Sequence, residues 1–473
     1  MNSTDLAFTS ALEQARLIRQ KEISPLELTE LYLSRIEQLN PQLGSFVYVA
    51  TDQAIADATA KTEDLTTLDP DELPPFFGVP IPIKDLAPVA GMPCTYGLRI
   101  LKNSVAEADS GVVGRIKQAG FVILGKTATS EAGTLPYTET RGFLPVRNPW
   151  HLDYTAGGSS GGAASALAAG LCPVAHGSDG GGSIRGPAFC CGLVGIKPSR
   201  GRVTMAPVGE RLNGAAVEGP LGRTVADAAA LLDVMAGYEP GDPYWLPYPG
   251  PSFLAATQQT VKPLRIGVMT EIAPVGEADP LCKEAVHTVA TLLESLGHQI
   301  EPAPNIDFTE LIDPFTTVFR AVLAEAGVPP IFLNKMNRWW WVQAQLCSCG
   351  QYLRAVTKMQ KLAREIVKKF ESVDVLLLPT YMHPTIRVGE WARLNPSKTL
   401  EKIIEWIAPC PPFNASGQPA IALPTGLTPN GLPMGVQLVG KPAAETTLIA
   451  LAAQLEPLLW QAEVKRPVIA TQI

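Results

Sequence analysis

The hydrophobic and polar positions of this 473-residue chain follow helical and strand periods in turn. Ser24-Pro25-Leu26-Glu27 combines a serine N-cap, a proline in the first turn and a glutamate that closes a capping box, which predicts a helix over about residues 25–39. Further periodic segments are a helical stretch at about 110–119, a strand from Phe121, a helix at about 280–296 and a strand from Val373. Helices between apolar strands predict an α/β fold with a sheet that is covered on both faces.

The C-terminal part shows a different pattern. The apolar runs 420–427 and 432–440 are separated by Pro429-Asn430-Gly431, which predicts two strands joined at an Asn-Gly turn. An antiparallel pair beside strands of βα type predicts a mixed sheet. We expect residues 236–263, which are rich in proline and glycine, to form a surface crossing.

Composition favours one large domain, because 46% of the residues are hydrophobic and only 18% are charged. Within one domain spanning 1–473, we expect a helical N-terminal part, a two-part catalytic core and a variable helical cap. Their approximate limits are 1–70, then 71–235 with 405–473, then 300–400.

Charge and targeting signals narrow the classes of function. The net charge of −7 is spread along the chain without a basic stripe, so nucleic acid is not expected as a direct partner. The first residues lack a basic stretch followed by an apolar core, and no apolar run reaches the length of a membrane span. We therefore expect a soluble, cytoplasmic protein without membrane association.

Cysteines and histidines show no metal-binding or disulfide pattern. Cys190-Cys191 and the pair Cys347 and Cys349 have no partners at zinc-ribbon spacing, and we interpret the eight cysteines as buried thiols. None of the five histidines belongs to a motif such as HExxH. The sequence predicts neither a metal nor a cofactor.

A glycine-rich segment at 157–187 carries the clearest chemistry. Two of its serines, Ser159 and Ser183, each follow a run of glycines. The helical stretch 161–170 rises about 15 Å, and the strand-like stretch 172–177 returns about 20 Å, so we expect the two serines to lie side by side at one end of the sheet.

Lys84 is the third candidate, because it follows the apolar run GVPIPI, which predicts a buried strand. Burial lowers the pKa of a lysine from about 10.4, and a decrease of about 3 units, worth about 4 kcal/mol, gives a neutral amine that acts as a base near pH 7. Serine is a weak nucleophile without such a base and without donors for the oxyanion. The amides of Gly180, Gly181, Gly182 and Ser183 are the predicted donors.

These residues resemble the amidase signature family. The resemblance includes GGSSGG at 157–162, DGGGSIRGP at 179–187, the spacing of 24 residues between the two serines, and GVPIPIKD around Lys84. It extends over most of the chain, through GKTATSE at 125–131, RNPW at 147–150 and FNASGQPA at 413–420, and is weakest at about 240–400.

The resemblance implies a large α/β domain of the amidase-signature fold and a reaction through an acyl-enzyme. Ser183 matches the nucleophile of the family, Ser159 its bridging serine, often preceded by a cis peptide, and Lys84 its base. The amides at 180–183 match its oxyanion hole, and we interpret Asp179 and Arg185 as supports of that loop.

Three other functions compete with this hypothesis. Residues 157–161 formally fit the G-x-S-x-G elbow of an α/β-hydrolase esterase, with His176 or His383 as base, although the preceding NPWHLDYTA is polar. A glutaminase subunit of a tRNA-dependent amidotransferase would use the same groups, but many members, including these subunits, have threonine at the position of Gly180. A phosphate-binding loop lacks the Gly-Lys-Ser/Thr that should follow it.

Substrate and assembly follow only loosely from the sequence. Short aliphatic amides, arylacetamides and aminohexanoate-type oligomers all fit the reaction, and the tryptophan-rich segment favours apolar or aromatic amides. Only one or two of Trp339, Trp340 and Trp341 can face a pocket, because successive residues of a helix point in different directions. The resemblance implies a homodimer.

Overall fold

The computed structural model describes residues 2–459 and 466–471. In this part of the chain an eight-stranded mixed sheet forms the centre of the molecule. Its strands, in spatial order, are Gln299–Pro302, Arg265–Val268, Val375–Pro379, Pro433–Gly440, Ala420–Leu427, Val194–Lys197, Val217–Gly222 and Val174–Asp179. The first three are parallel to one another, and the later neighbours pair antiparallel.

A smaller sheet lies beside the edge strand Val174–Asp179 and consists of Phe46–Val49, Val122–Thr127 and Pro80–Lys84 in spatial order. Pro80–Lys84 runs parallel to its neighbour and is buried along its whole length. Two short ribbons complete the strands, Arg147–Asn148 with His151–Thr155 and Glu271–Ile272 with Gly276–Glu277.

Helices cover both faces of the central sheet. Arg185–Cys191 and Gly161–Ala168 contact each other and the sheet, while Pro280–Ser295, Val225–Met235 and Glu445–Leu459 form another group against it. The remaining α-helices are Ser3–Phe8, Ala11–Arg19, Pro25–Leu43, Thr51–Thr67, Gly111–Gln118, Phe253–Ala256, Thr309–Glu325, Lys335–Gln345, Cys349–Lys369, Pro396–Ile407 and Pro411–Ala415. Short 3₁₀ turns are Pro70–Glu72, Arg99–Leu101, Glu131–Gly133, Pro330–Phe332 and Val468–Thr471.

Local signals of the sequence are found where they were expected. Ser24 and Glu27 form the predicted capping box, and the helix continues to Leu43, where Gly44 in a left-handed conformation ends it. The C-terminal strands pair antiparallel around a turn in which Gly431 has a φ of 76°. The α/β fold with a mixed, helix-covered sheet is confirmed.

One prediction about the cysteines was wrong. Cys349 is exposed and Cys347 is partly exposed, whereas the other six are buried, and all eight are free thiols. These two thiols lie where the chain turns between Lys335–Gln345 and Cys349–Lys369, two helices at the surface. Within the described ranges, no helix combines the length and the apolar character that crossing a membrane requires.

Candidate active site

Lys84 ends the buried strand Pro80–Lys84 and is fully enclosed, with no exposed surface. Its Nζ lies 2.8 Å from Oγ of Ser159, 2.9 Å from Oγ of Ser178 and 3.2 Å from the carbonyl oxygen of Ser178. Burial lowers the pKa of Lys84 to about 7, against the opposing attraction of Glu218 and Asp179. Near neutral pH the amine therefore exists in both the neutral and the protonated state. A group that acts first as a base and then as an acid in one reaction cycle needs both states.

Ser159 and Ser183 are brought together by the two glycine-rich turns. Ser159 follows a cis peptide bond with Gly158, as the resemblance implied, and lies two residues before the helix Gly161–Ala168. The N–H of Ser160 donates to the carbonyl oxygen of Ser183 at 3.2 Å, which joins the two turns. The predicted neighbourhood of the two serines at one end of the sheet is therefore present.

The carboxylate of Asp179 fixes the conformation of residues 180–183, which we call the glycine loop. Its Oδ1 accepts the N–H of Gly182 at 2.7 Å, and its Oδ2 accepts the N–H of Ile184 at 3.1 Å. Gly182 has a φ of 119°, and a Cβ there would lie 2.8 Å from Cβ of Cys410, so this position requires glycine.

This arrangement changes the predicted oxyanion hole in one respect. Because the N–H of Gly182 already donates to Asp179, it is not free to bind an oxyanion. The N–H groups of Gly180, Gly181 and Ser183 have no hydrogen-bond partner in the described part of the chain. The available donors are therefore three of the four that the sequence predicted.

Arg185 completes a buried network beneath the loop. It contacts Asp179 through Nε at 3.0 Å and Nη2 at 2.9 Å, and Nη2 also donates to Oδ1 of Asn414 at 2.6 Å. Its Nη1 donates to Oε1 of Gln437 and to the carbonyl oxygen of Cys410, each at 3.1 Å. Burial raises the pKa of Asp179, but the Arg185 guanidinium more than offsets this and holds that pKa well below its usual range.

We expect Asp179→Ala to lower the free energy of unfolding by about 3–5 kcal/mol, because it leaves Arg185 buried without its counterion. The carboxylate has a lowered pKa in the folded state, so its contribution is complete above about pH 4 and is lost as the pH falls further. Urea unfolding at several pH values measures both effects. Asp374→Ala is the control, since that carboxylate pairs with Lys441 and Arg265 at a partly exposed position and should contribute about 1 kcal/mol. Equal losses in the two variants would contradict the supporting role of Asp179.

The histidines do not provide a Ser-His-Asp base. Nδ1 of His176 accepts the main-chain N–H of Lys84 at 3.3 Å, and its Nε2 lies 2.9 Å from Oε2 of Glu218 without hydrogen-bond alignment. His383 stacks on Trp406, and within the described ranges it makes no hydrogen bond with either serine. The polar run before Ser159 does form a strand, His151–Thr155, but in a two-stranded ribbon and not in the central sheet. The esterase elbow is therefore absent at this serine.

Two cavities meet at the serines. The first, which we call the apolar cavity, has a volume of about 100 Å³ and is lined by Gly181 and Ser183 together with mainly apolar side chains. Among these are Leu311, Phe315, Phe319, Trp340 and Ile403. The second, which we call the relay cavity, has a volume of about 340 Å³ and is lined by Ser159, Ser178 and Gly180.

The family model for amidases matches residues 27–449, which include every group described above. This chain belongs to the amidase signature family. It is an amide hydrolase, and the glutaminase-subunit alternative is not favoured by the comparisons.

This amidase is 51% identical to an amidase-family protein of Synechocystis sp. over 96% of the chain and 90% of that protein. Its fold matches the structure of a 6-aminohexanoate cyclic dimer hydrolase with a TM-score of 0.91, 33% identity and coverage of 98% and 99% of the two chains. A bacterial aryl acylamidase of the amidase signature family matches with a TM-score of 0.84, 29% identity and coverage of 95% and 96%.

The amidase also contains functional neighbours that sequence reasoning missed. Ser178 binds the Lys84 amine as closely as Ser159 does, and Glu218 lies opposite Ser178 on the paired strand. The alternation of the strand HGSD was the available signal, because it places His176 and Ser178 on one face. At Gly180 a Cβ would lie 2.9 Å from Cδ1 of Leu212, so Leu212 takes up part of the space of the threonine that many members have.

Proposed function

We propose that this amidase hydrolyses carboxamides and linear amides with an apolar acyl group, through an acyl-enzyme on Ser183. The observation that carries this proposal is the buried Lys84 amine, 2.8 Å from Ser159, beside an apolar cavity that contains Ser183. A buried amine, two serines and free main-chain donors are what acyl transfer needs. No metal or cofactor enters the proposed steps.

In the first half of the reaction, neutral Lys84 takes the proton of Ser159 while Ser159 takes the proton of Ser183. The Ser183 oxygen then attacks the carbonyl carbon, and the free N–H groups of Gly180, Gly181 and Ser183 stabilise the oxyanion. The C–N bond breaks as the protonated lysine returns the proton through Ser159 to the leaving nitrogen. Water, deprotonated by the same relay, then attacks the carbonyl carbon of the ester. The bond from that carbon to the Ser183 oxygen breaks, the relay returns the proton to this oxygen, and the carboxylic acid leaves.

The volume and lining of the apolar cavity determine the size and apolar character of the acyl group that we propose. Its volume of about 100 Å³ is of the same order as the apolar cavity of about 150 Å³ that binds benzene in an engineered lysozyme. One aromatic ring or a short branched alkyl group therefore fits beside Ser183. Phe315 and Phe319, with ring centroids 5.8 Å apart, form an aromatic wall of this cavity.

We expect Phe315→Ala to lower kcat/KM for a phenylacetamide about tenfold and to raise it for a bulkier naphthylacetamide, because the substitution removes packing and enlarges the cavity. Ammonia release over a series of acyl sizes measures this shift. Phe332→Ala is the matched control, since Phe332 is 44% exposed and lies outside the cavity. An unchanged order of preference in Phe315→Ala would contradict the assignment of the acyl group to this cavity.

Two expectations from the sequence analysis remain predictions, namely a cytoplasmic location and a homodimer. Cell fractionation tests the location, and light scattering tests the oligomeric state. The proposed chemistry depends on neither, because every catalytic group comes from a single chain.

A further inference from the structure

The relay cavity adjoins the apolar cavity. Both cavities are lined by Thr134 and Phe319, so they are neighbours, but Ser159 lines only the relay cavity and Ser183 only the apolar one. The volume of about 340 Å³ is within the range of about 300–1,000 Å³ typical of sites for small molecules. Ammonia alone would leave most of this space unused.

The position of the relay serine decides which part of a substrate enters this cavity. In the proposed reaction Ser159 hands the proton to the leaving nitrogen, so that nitrogen must lie within hydrogen-bond reach of Ser159. A substituent on the nitrogen then extends into the cavity that Ser159 lines. This inference rests on the proposed function, and it assigns the relay cavity to the amine part of a secondary amide.

One basic side chain in the cavity wall lacks a partner. Arg211 is half-buried, and its guanidinium makes no hydrogen bond or ion pair with any of the described residues. By contrast, Arg200, also half-buried, donates to the carbonyl oxygens of Gly214, Asn414 and Ala415. A guanidinium in a cavity wall with its donors free is suited to a carboxylate, which it can bind with two parallel hydrogen bonds.

The loop that carries Arg211 is held in a fixed position. The N–H groups of Gly214 and Ala216 donate to the carbonyl oxygen of Arg211, and Asn213 donates to Oη of Tyr352 at 2.5 Å. Leu212 and Asn213 have φ values of 57° and 53°, which non-glycine residues rarely adopt. Strained backbone of this kind persists where the surrounding structure enforces it, often at functional sites.

Two carboxylates also line the relay cavity, and they differ from each other in burial. Glu218 is buried beside the reaction centre and contacts His176, whereas Glu325 is exposed at the end of the helix Thr309–Glu325. Neither forms an ion pair with Arg211 within the described ranges. Arg211 therefore keeps its charge available for a ligand.

We propose that the relay cavity binds the amine part of a secondary amide and that Arg211 binds a carboxylate on that amine. The substrate class is then an amino acid acylated on nitrogen by an apolar group. Its hydrolysis releases the apolar acid from Ser183 and the free amino acid from the relay cavity. Arg211 is a specificity-determining residue in this proposal and takes no part in proton transfer.

The test compares amides that share a phenylacetyl group and differ in the amine. The anionic probes carry ω-amino acids with three to five methylene groups, the neutral probe carries the isosteric 4-methylpentylamine, and a cationic probe carries 1,4-diaminobutane. We expect kcat/KM for the best anionic probe to exceed that for the neutral probe about tenfold or more, equivalent to about 1.4 kcal/mol. In Arg211→Gln the two values of kcat/KM should become equal within about twofold, because the value for the anionic probe falls while that for the neutral probe stays the same.

Control variants separate a binding role from a loss of folding. Arg393→Gln changes an exposed arginine that lines neither cavity, and it should keep the anionic preference. Arg211→Glu should reverse the preference toward the cationic probe. An equal anionic preference in wild type and Arg211→Gln, or a cationic preference in wild type, would overturn this inference while leaving amide hydrolysis intact. Failure to cleave any probe, including phenylacetamide, would instead overturn the proposed function.

Discussion

Ser183→Ala should abolish amide hydrolysis, with a loss in kcat of about 10⁴-fold or more, because the substitution removes the oxygen that forms the acyl-enzyme. The side chain is small, and Ser183 is 9% exposed at the wall of the apolar cavity, so the fold should not change. Ammonia release from phenylacetamide measures the loss. Circular dichroism and thermal unfolding measure the integrity of the variant.

The matched control for this substitution is Ser104→Ala, at an exposed position outside both cavities. We expect this variant to retain the activity of the wild type. Residual turnover of Ser183→Ala within a factor of about ten of the wild type would contradict the assignment of the nucleophile. Ser159 would then be the next candidate, because it is the serine in direct contact with the Lys84 amine.

Lys84→Met should lower kcat/KM about 10³-fold or more, since it removes the base of the relay and keeps most of the side-chain volume. In the wild type, the pKa of about 7 for Lys84 means that the neutral, active form increases as the pH rises through this value. We therefore expect kcat/KM to rise about tenfold between about pH 6 and about pH 8 and then to level off. The pH profile of the residual activity in Lys84→Met should lack this step.

Lys197→Met is a matched control for the lysine. Lys197 is also fully buried, and burial likewise lowers its pKa to about 7, but it lines neither cavity and donates to the carbonyl oxygen of Pro198. The control should keep the step in the pH profile. Loss of the step in Lys197→Met, together with its retention in Lys84→Met, would show that Lys197 and not Lys84 is the base.

Much of the fold could be predicted because its signals are local. The capping box at Ser24 and the turn at Asn430-Gly431 each determine a few residues, and the structure shows both. The order of strands could not be read in this way, because it depends on contacts between distant segments. The strand Val375–Pro379, for example, pairs with Arg265–Val268 on one side and with Pro433–Gly440 on the other.

The candidate site was predictable where the motifs have a specific spacing. Lys84, Ser159 and Ser183 lie at one end of the strands as expected, whereas the contact of Ser178 with the amine has no separate motif. The bond from Gly182 to Asp179 depends on the direction of one N–H group, which composition and spacing do not determine. Likewise, the free guanidinium of Arg211 is visible only once the cavity wall is formed by distant segments.

The most direct test of the account is intact-protein mass after reaction with a fluorophosphonate, with tandem mass spectrometry to locate the adduct. We predict one adduct per chain, on Ser183, that is absent in Ser183→Ala and forms at least about a hundredfold more slowly in Lys84→Met. An adduct on another residue, or labelling of Lys84→Met at the wild-type rate, would contradict a nucleophilic Ser183 activated by Lys84.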